Sequence, residues 1–210
     1  MSVRIWRAGE PLGELAAAVE RGVVVAIPTE SSYGLAVDPR DGEAVGRLLA
    51  FKRRAGRLPF PLVIGDRAQL AALPVDPEAA IVRRFGHLWP APLSLVVPLR
   101  SPLPAALGES TTAVRVPDHE QLRELLLALG RPLTATSANL SGEPPALDVE
   151  SAARLLESLD EAWVVDGGAL PGGAPSTLVA MVGTEVRLVR PGRFPVDQLR
   201  AAGETAEGAG

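Results

Sequence analysis

The chain has 210 residues and a formal net charge of −4; 47% of its residues are apolar and 22% are charged. This composition is that of an ordinary globular protein, and it argues against general disorder and against a polybasic nucleic-acid-binding protein. Cysteine is absent and histidine occurs twice, which excludes disulfides, thiolate catalysis and cysteine-based zinc sites and disfavours a Ser-His-Asp triad or a histidine-rich metal site.

No apolar run approaches the roughly 20 residues that would span a bilayer. The N-terminal residues carry no apolar stretch of the kind that a signal peptide needs. We therefore expect a soluble, cytoplasmic protein with no membrane partner.

Helices and strands alternate along the chain from its start. The pattern predicts a helix over 10–21, a buried strand over 23–28 and a polar turn over 29–34. Asp41 can cap the next helix, which ends in the cationic run 52–57.

The remaining elements are predicted in the order strand, two helices, two strands, helix, strand, helix, three strands and a short helix. Their ranges are 61–65, 67–73, 77–89, 94–99, 112–117, 119–130, 133–138, 149–158, 163–166, 177–182, 185–190 and 195–202. Strands outnumber the helices between them, so a doubly wound parallel sheet does not fit. We predict an α/β fold with a twisted mixed sheet and helices on its faces, built as one domain over 1–200 with a frayed tail over 201–210.

Four polar clusters interrupt this pattern, and two of them lie where an element ends. PTESSYG (28–34) follows a buried strand, where ligands dock in α/β sheets, although these residues also form simple turns. KRRAGR (52–57) places four cations at a helix C-terminus. They either complement the helix dipole in solvent or bind an anion, with Lys52 and Arg54 reaching phosphates.

The other two clusters belong to strands. Alternation in TTAVRVP places Thr111 and Arg115 on one strand face, and a buried arginine there needs an anionic partner, either a protein carboxylate or a ligand. In PLTATSANLSG (132–142), polar side chains that include Ser137 and Asn139 converge at a strand end. They can bind a ligand or merely cap the following turn.

The ordered combination of motifs is more specific than any one of them. The set resembles the YrdC/TsaC family of L-threonylcarbamoyladenylate synthases over about residues 10–195, on PTE-x-x-YGL, K-x-R, WPxPLS (89–94), AVRVP (113–117), SANLSG (137–142), ST (176–177) and RPG (190–192). The resemblance implies a YrdC-like fold, in which the twisted mixed sheet surrounds a concave, basic cavity. It also admits a paralogue of the YciO type.

The resemblance implies a nucleotidyltransferase that converts L-threonine, bicarbonate and ATP into threonylcarbamoyl-AMP and pyrophosphate. Mg²⁺ would accompany ATP, and no protein-bound metal is implied. The downstream partner would be a tRNA threonylcarbamoyl-transferase complex, and a contact with double-stranded RNA or tRNA is compatible with a basic cavity.

The same resemblance assigns residues to roles. Lys52 and Arg54 stand at the K-x-R motif and would bind the nucleotide phosphates as the catalytic cations. Arg115 would contact the threonine carboxylate. The full set of expected substrate-binding residues is Ser31, Thr111, Arg115, Ser137, Asn139, Ser176 and Arg190. Leu58 and Val63 stand where the family usually carries polar side chains.

Two other functions stay open at this point. One is an RNA-binding maturation module of the YciO type without this activity, because a face that suits a triphosphate also suits a nucleic-acid backbone. Aromatic residues for base stacking are few, at 4%, which argues against it. The other is a carbamoyl-transfer domain that acts on a different acceptor.

Overall fold

The computed structural model describes residues 2–53, 58–199 and 201. Its helices are α1 (Gly13–Glu20), α2 (Gly42–Lys52), α3 (Ala80–Phe85), α4 (Glu120–Leu129) and α5 (Val149–Leu156). Its strands are β1 (Ser2–Trp6), β2 (Val24–Pro28), β3 (Tyr33–Ala36), β4 (Leu62–Val63), β5 (Leu93–Pro98), β6 (Thr111–Arg115), β7 (Leu133–Thr134), β8 (Thr136–Ser137), β9 (Glu161–Val165), β10 (Thr177–Val182) and β11 (Glu185–Arg190). Among these residues, no helix is long and apolar enough to cross a membrane.

The strands form two mixed sheets. The five-stranded sheet has the order β1-β9-β2-β3-β8, and the six-stranded sheet has the order β11-β10-β5-β6-β4-β7. Parallel and antiparallel pairs occur in both. The predicted mixed α/β class is confirmed, and the single predicted sheet is divided in two.

The division is clearest in the segment over 133–138, which the sequence pattern presents as one strand. Leu133–Thr134 pairs with β4 in the six-stranded sheet, whereas Thr136–Ser137 pairs with β3 in the five-stranded sheet. Between them, the Ala135 amide donates to the Pro61 carbonyl oxygen at 2.8 Å. The chain therefore passes from one sheet to the other at Ala135, and the single-strand prediction is wrong.

Local hydrogen bonds alter two of the predicted helices: one is shortened and the other is not an α-helix. The carboxylate of Asp76 accepts from the Glu78 amide at 3.0 Å, so helix α3 starts only at Ala80. The carboxylate of Asp66 accepts from the Gln69 amide at 3.1 Å, and the segment after it is a 3₁₀ turn rather than an α-helix. Short polar side chains compete with the helix for backbone donors in this way.

Two apolar cores hold the sheets and helices together. The larger contains side chains of both sheets together with those of α2, α3 and α5, for example Leu35, Leu48 and Leu95. The second joins α1 and α4 to the five-stranded sheet, for example through Ile27 and Leu126. Full burial of such a side chain contributes about 1.5–3 kcal/mol.

Strand β11 lies at the edge of the six-stranded sheet, and all six of its residues are exposed. Val186, Leu188 and Val189 are among the large apolar side chains that face solvent. The pairing with β10 shifts by one residue at Val189. This edge therefore combines apolar side chains with a row of backbone groups that no neighbouring strand of the sheet pairs.

Thr112 offers a test of core packing. Its hydroxyl lies in the six-stranded sheet, is fully buried and has no hydrogen-bond partner among the described residues. We expect Thr112→Val to raise the free energy of unfolding by about 1 kcal/mol, because valine fills the same space without burying an unpaired hydroxyl. Urea denaturation measures the change.

Thr134→Val is the matched control, since Thr134 is also buried but its hydroxyl accepts from the Val37 amide at 3.0 Å and donates to Leu35 at 3.3 Å. We expect that variant to lose roughly 1–3 kcal/mol. A destabilised Thr112→Val would contradict the prediction.

His119 makes the stability of α4 dependent on pH. Its Nδ1 accepts from the Leu122 amide at 3.3 Å and caps the helix. Burial lowers the pKa of His119 below 6.5, and the nearby Glu30 carboxylate partly opposes that shift. Because the folded state prefers the neutral ring, this contribution to stability is complete above about pH 6.5 and is lost as the pH falls.

We expect His119→Asn to remove this part of the acid destabilisation, because asparagine supplies an N-cap oxygen that does not titrate. Urea unfolding of both proteins from about pH 8 to about pH 5 measures the difference. Parallel stability profiles for variant and wild type would show that His119 is not the titrating group.

Candidate functional site

A largely buried polar cluster, here named the arginine cluster, lies where the two sheets meet. Its members come from the β2–β3 turn, from β5 and β6, and from the two ends of the β10–β11 hairpin: Glu30, Ser94, Arg115, Ser176 and Arg190. Three of these residues are predicted substrate ligands, so the fold brings together positions that are far apart in sequence.

Arg115 has a protein carboxylate as its anionic partner. Its Nη2 donates to Glu30 Oε2 at 3.1 Å, and the side chains of both residues are only 9% exposed. Its Nη1 donates to Ser176 Oγ at 3.3 Å, and its Nε is buried without a hydrogen-bond partner among the described residues. One of the two alternatives for Arg115, a protein carboxylate, is therefore realised, and donor capacity remains for a ligand.

Arg190 gives the cluster an excess of positive charge. Its Nη2 donates to the Ser176 carbonyl oxygen at 2.9 Å. Burial lowers the pKa of Arg190, and the positive charge of Arg115 lowers it further. The carboxylate of Glu30 pairs with Arg115 and not with Arg190 among the described contacts, and this local excess of positive charge favours the binding of an anion.

A second cluster, here named the lysine cluster, consists of Lys52, Ser137 and Asn139. Lys52 Nζ donates to the Ser137 carbonyl oxygen at 2.7 Å, to the Asn139 carbonyl oxygen at 2.9 Å and to Asn139 Oδ1 at 2.6 Å. Lys52 is only 3% exposed, so the interpretation as a solvated helix-end cation is wrong. The last residue of α2 instead faces the turn that follows β8.

The turn after β8 fixes the direction of the Ser137 hydroxyl. Ser137 Oγ donates to Asn139 Oδ1 at 2.7 Å, and the Asn139 amide group donates to the Glu143 carbonyl oxygen. An amide oxygen can only accept, so the Ser137 proton is engaged and its remaining lone pairs accept from a donor. The Ser137 oxygen therefore keeps acceptor capacity, and Asn139 holds the turn.

The other predicted site residues lie apart from these two clusters or beyond the described part of the chain. Thr111 is on the same strand as Arg115, and four residues separate them by roughly 13 Å. The described hydrogen bonds of Ser31 involve its backbone, whose oxygen accepts from the Gly172 amide at 2.8 Å. Arg54 lies outside the described residues. Val63 pairs with Arg115 across neighbouring strands and is fully buried.

Sequence reasoning missed three members of this region: Glu30, Ser94 and Tyr33. A signal for Glu30 was present, because Arg115 required an anion and a carboxylate directly follows the buried strand β2. Ser94 contacts Ser176, with 2.9 Å between the hydroxyl oxygens. Nothing in its local sequence distinguishes it from other strand serines.

Tyr33 attaches the glycine-rich loop over 167–175 to this region. Its buried hydroxyl donates to the Gly168 carbonyl oxygen and accepts from the Gly167 amide, both at 3.0 Å, and burial raises the pKa of this hydroxyl. A Cβ at position 167 would lie 2.3 Å from Pro28. Glycine at 167 therefore lets the loop approach the end of β2.

A cavity of about 1000 Å³ lies beside the lysine cluster, between the end of α2, the loop over 138–148 and α5. Asn139 lines it, but Lys52, Arg115 and Arg190 are not among its lining residues. Its charged lining side chains are Arg53, Glu143, Asp148, Arg154 and Glu157. This cavity is not the predicted basic one, which stays a prediction.

Metal-ligating side chains do not gather around either cluster. Within residues 2–53, 58–199 and 201, no three histidine, aspartate or glutamate side chains are grouped so that they could hold a metal ion.

Lys52 provides the test of the lysine cluster. We expect Lys52→Met to lower the free energy of unfolding by roughly 1–3 kcal/mol, because buried acceptors lose their donor. Thermal and urea unfolding measure the loss. Arg53→Ala is the control, since the neighbouring Arg53 is exposed, and we expect it to stay within about 0.5 kcal/mol of the wild type. If the two variants were equally stable, Lys52 would contribute no more to stability than a surface cation, and the prediction would be wrong.

Comparison with known proteins finds relatives of this chain, first by sequence. The family model Sua5/YciO/YrdC, described as "Telomere recombination", matches residues 17–192. A threonylcarbamoyl-AMP synthase of Chromohalobacter salexigens is 40% identical over 170 residues, which are 80% of this chain and 90% of that protein.

Solved structures of related proteins also superpose on this chain. The structure of Pyrococcus abyssi Sua5 complexed with L-threonine superposes with a TM-score of 0.82 at 29% identity, over 96% of this chain and 61% of that longer chain. Escherichia coli YciO superposes with a TM-score of 0.78 at 24% identity, over 94% of this chain and 98% of that one; this likeness concerns the fold alone. With its two mixed sheets and with the family model matched over most of its length, the chain belongs to the Sua5/YciO/YrdC family.

Proposed function

We propose that the protein is an L-threonylcarbamoyladenylate synthase, a nucleotidyltransferase that forms threonylcarbamoyl-AMP and pyrophosphate from L-threonine, bicarbonate and ATP. The curated relatives named threonylcarbamoyl-AMP synthase support this activity. The structural observation that carries it is the arginine cluster, in which Arg190 lies near Arg115 and only Arg115 is paired with a carboxylate among the described residues. Such a cluster suits substrates that are anions.

The reaction requires charge neutralisation and geometry more than a nucleophilic side chain. The threonine amine attacks bicarbonate with loss of water, or attacks CO2, its dehydrated form, with loss of a proton; either route gives a carbamate. A carbamate oxygen then attacks the α-phosphorus of ATP, the bond to the β-phosphate breaks and pyrophosphate departs. Because the reacting groups are anions, fixed cations bring them together and stabilise the charge that develops. Mg²⁺ enters with ATP as part of the substrate, held mainly by phosphate oxygens.

In this proposal the arginine cluster binds the substrate anions, and the lysine cluster positions the hydroxyl of Ser137. Arg115 pairs with the threonine carboxylate, and Arg190 binds the nucleotide with Ser176 between them. Ser137 accepts a hydrogen bond from the substrate, and Asn139 and Lys52 keep its turn in place. Arg54 and Thr111 keep their expected roles as contacts to the phosphates and to ATP, and Ser31 stays among the expected substrate-binding residues. The product would pass in the cytoplasm to a tRNA threonylcarbamoyl-transferase complex.

The RNA-binding alternative of the YciO type has weaker support. Its structural relative is similar in fold at 24% identity, whereas the synthase of Chromohalobacter salexigens is 40% identical over 170 residues. Direct tRNA contact is not required for formation of the adenylate.

Pyrophosphate release tests the proposal. We expect release from MgATP only when threonine and bicarbonate are both present, and we expect Arg190→Ala to raise the apparent ATP constant roughly 10- to 150-fold, as loss of a charge-assisted hydrogen bond does. Arg187→Ala is the control, because Arg187 is an arginine of the same strand that does not belong to the arginine cluster. Release that does not depend on threonine, or an equal effect of both substitutions, would contradict the proposal.

A further inference from the structure

We propose that Glu30 is a positioning residue that fixes the guanidinium of Arg115 for the threonine carboxylate. The inference rests on the proposed role of Arg115 and assigns Glu30 an effect through that residue. Glu30 itself would not contact the substrate.

Both carboxylate oxygens of Glu30 are engaged within the protein. Oε2 accepts from Arg115 Nη2 at 3.1 Å, and Oε1 accepts from the Asp118 amide at 3.1 Å. The Asp118 amide belongs to the segment that leads into α4, so the backbone holds one end of the carboxylate while the other end holds Arg115. The Glu30 and Arg115 side chains are equally buried, at 9% exposed, but a carboxylate has no donor for the carboxylate of threonine, whereas a guanidinium does.

Arg115 depends on this carboxylate for its orientation. Its other described side-chain bond, to Ser176 Oγ, is long at 3.3 Å. A buried guanidinium that loses its only carboxylate partner is strongly destabilised in its place, and the nearby charge of Arg190 adds repulsion. Without Glu30, Arg115 would therefore turn away from Arg190 and lose its geometry toward a substrate carboxylate.

The Glu30 carboxylate also joins the two sheets. Glu30 lies in the turn between β2 and β3 of the five-stranded sheet, whereas Arg115 ends β6 of the six-stranded sheet. Of the described residues, the structure pairs no other carboxylate with Arg115. The position of the predicted substrate ligand is thus set by the opposite sheet.

A double-mutant cycle on threonine binding tests the inference. Calorimetric titration with L-threonine compares the wild type, Glu30→Gln, Arg115→Leu and the double variant. Glutamine removes the negative charge and replaces one of the two acceptor oxygens with an NH2 group, which cannot accept from Arg115 or from the Asp118 amide. We expect each single variant to bind threonine roughly 10- to 150-fold more weakly. We expect the double variant to bind no more weakly than Arg115→Leu, because a residue that acts through Arg115 has no effect without it.

Asp38→Asn is the matched control for loss of a buried carboxylate. Asp38 pairs with Arg40 at 2.7 Å, at the end of β3 opposite to Tyr33. We expect this variant to melt at a lower temperature and to bind threonine like the wild type. If Glu30→Gln does not fold, Glu30→Asp takes its place in the cycle, because it keeps the charge but shortens its reach. If Arg115→Leu binds too weakly to titrate, Arg115→Lys takes its place.

Two results would overturn the inference. If Glu30→Gln weakened binding by the same factor with and without Arg115, Glu30 would contact the substrate directly. If a folded Glu30→Gln bound threonine like the wild type, Glu30 would be structural only. The proposed function fails separately: a wild-type protein that binds threonine but releases no pyrophosphate would not be the synthase, although the cycle would still report on Glu30.

Discussion

The structure depends on one short segment that two sheets share. Leu133–Thr134 pairs in the six-stranded sheet and Thr136–Ser137 pairs in the five-stranded sheet, so neither sheet can slide without breaking backbone pairs of the other. The Thr134 hydroxyl adds a second link, because it bonds to the backbone of Leu35 and Val37 beyond its own sheet. Register in a sheet is specified most strongly where one face is buried, and here the crossing segment fixes two registers together.

This junction also explains where the polar groups lie. The turn after β8 directly follows the crossing segment, and the buried ammonium of Lys52 donates hydrogen bonds to its carbonyl oxygens. The turn after β2, two strands away, supplies Glu30 to Arg115 of the other sheet. Buried polar networks are costly when only partly satisfied, and Arg115 Nε is such an unsatisfied group.

Much of the framework could be predicted from the sequence, because helices and strands bury periodic apolar faces. The helix after His119 and the strand ending at Pro28 follow that pattern closely. Pairing partners carry no such periodic signal, so the passage between sheets at Ala135 could not be read from LTATSA. In the site, the partners of Lys52 and Glu30 likewise depend on tertiary contacts that the local sequence does not indicate. A cation at a helix end resembles a solvated one in sequence, and only the tertiary contact with the turn after β8 reveals that it is buried.

The exposed edge strand β11 has a consequence for the behaviour of the protein at high concentration. Two copies that met along this edge as antiparallel strands would match Val186 with Leu188 in one symmetric register. That register places Arg187 directly opposite its own copy, and like charges in that position repel. A charged residue at the centre of an apolar edge is a common safeguard against such pairing. In that register Arg187 therefore opposes the extension of the sheet into a second molecule, although β11 exposes two valines and a leucine.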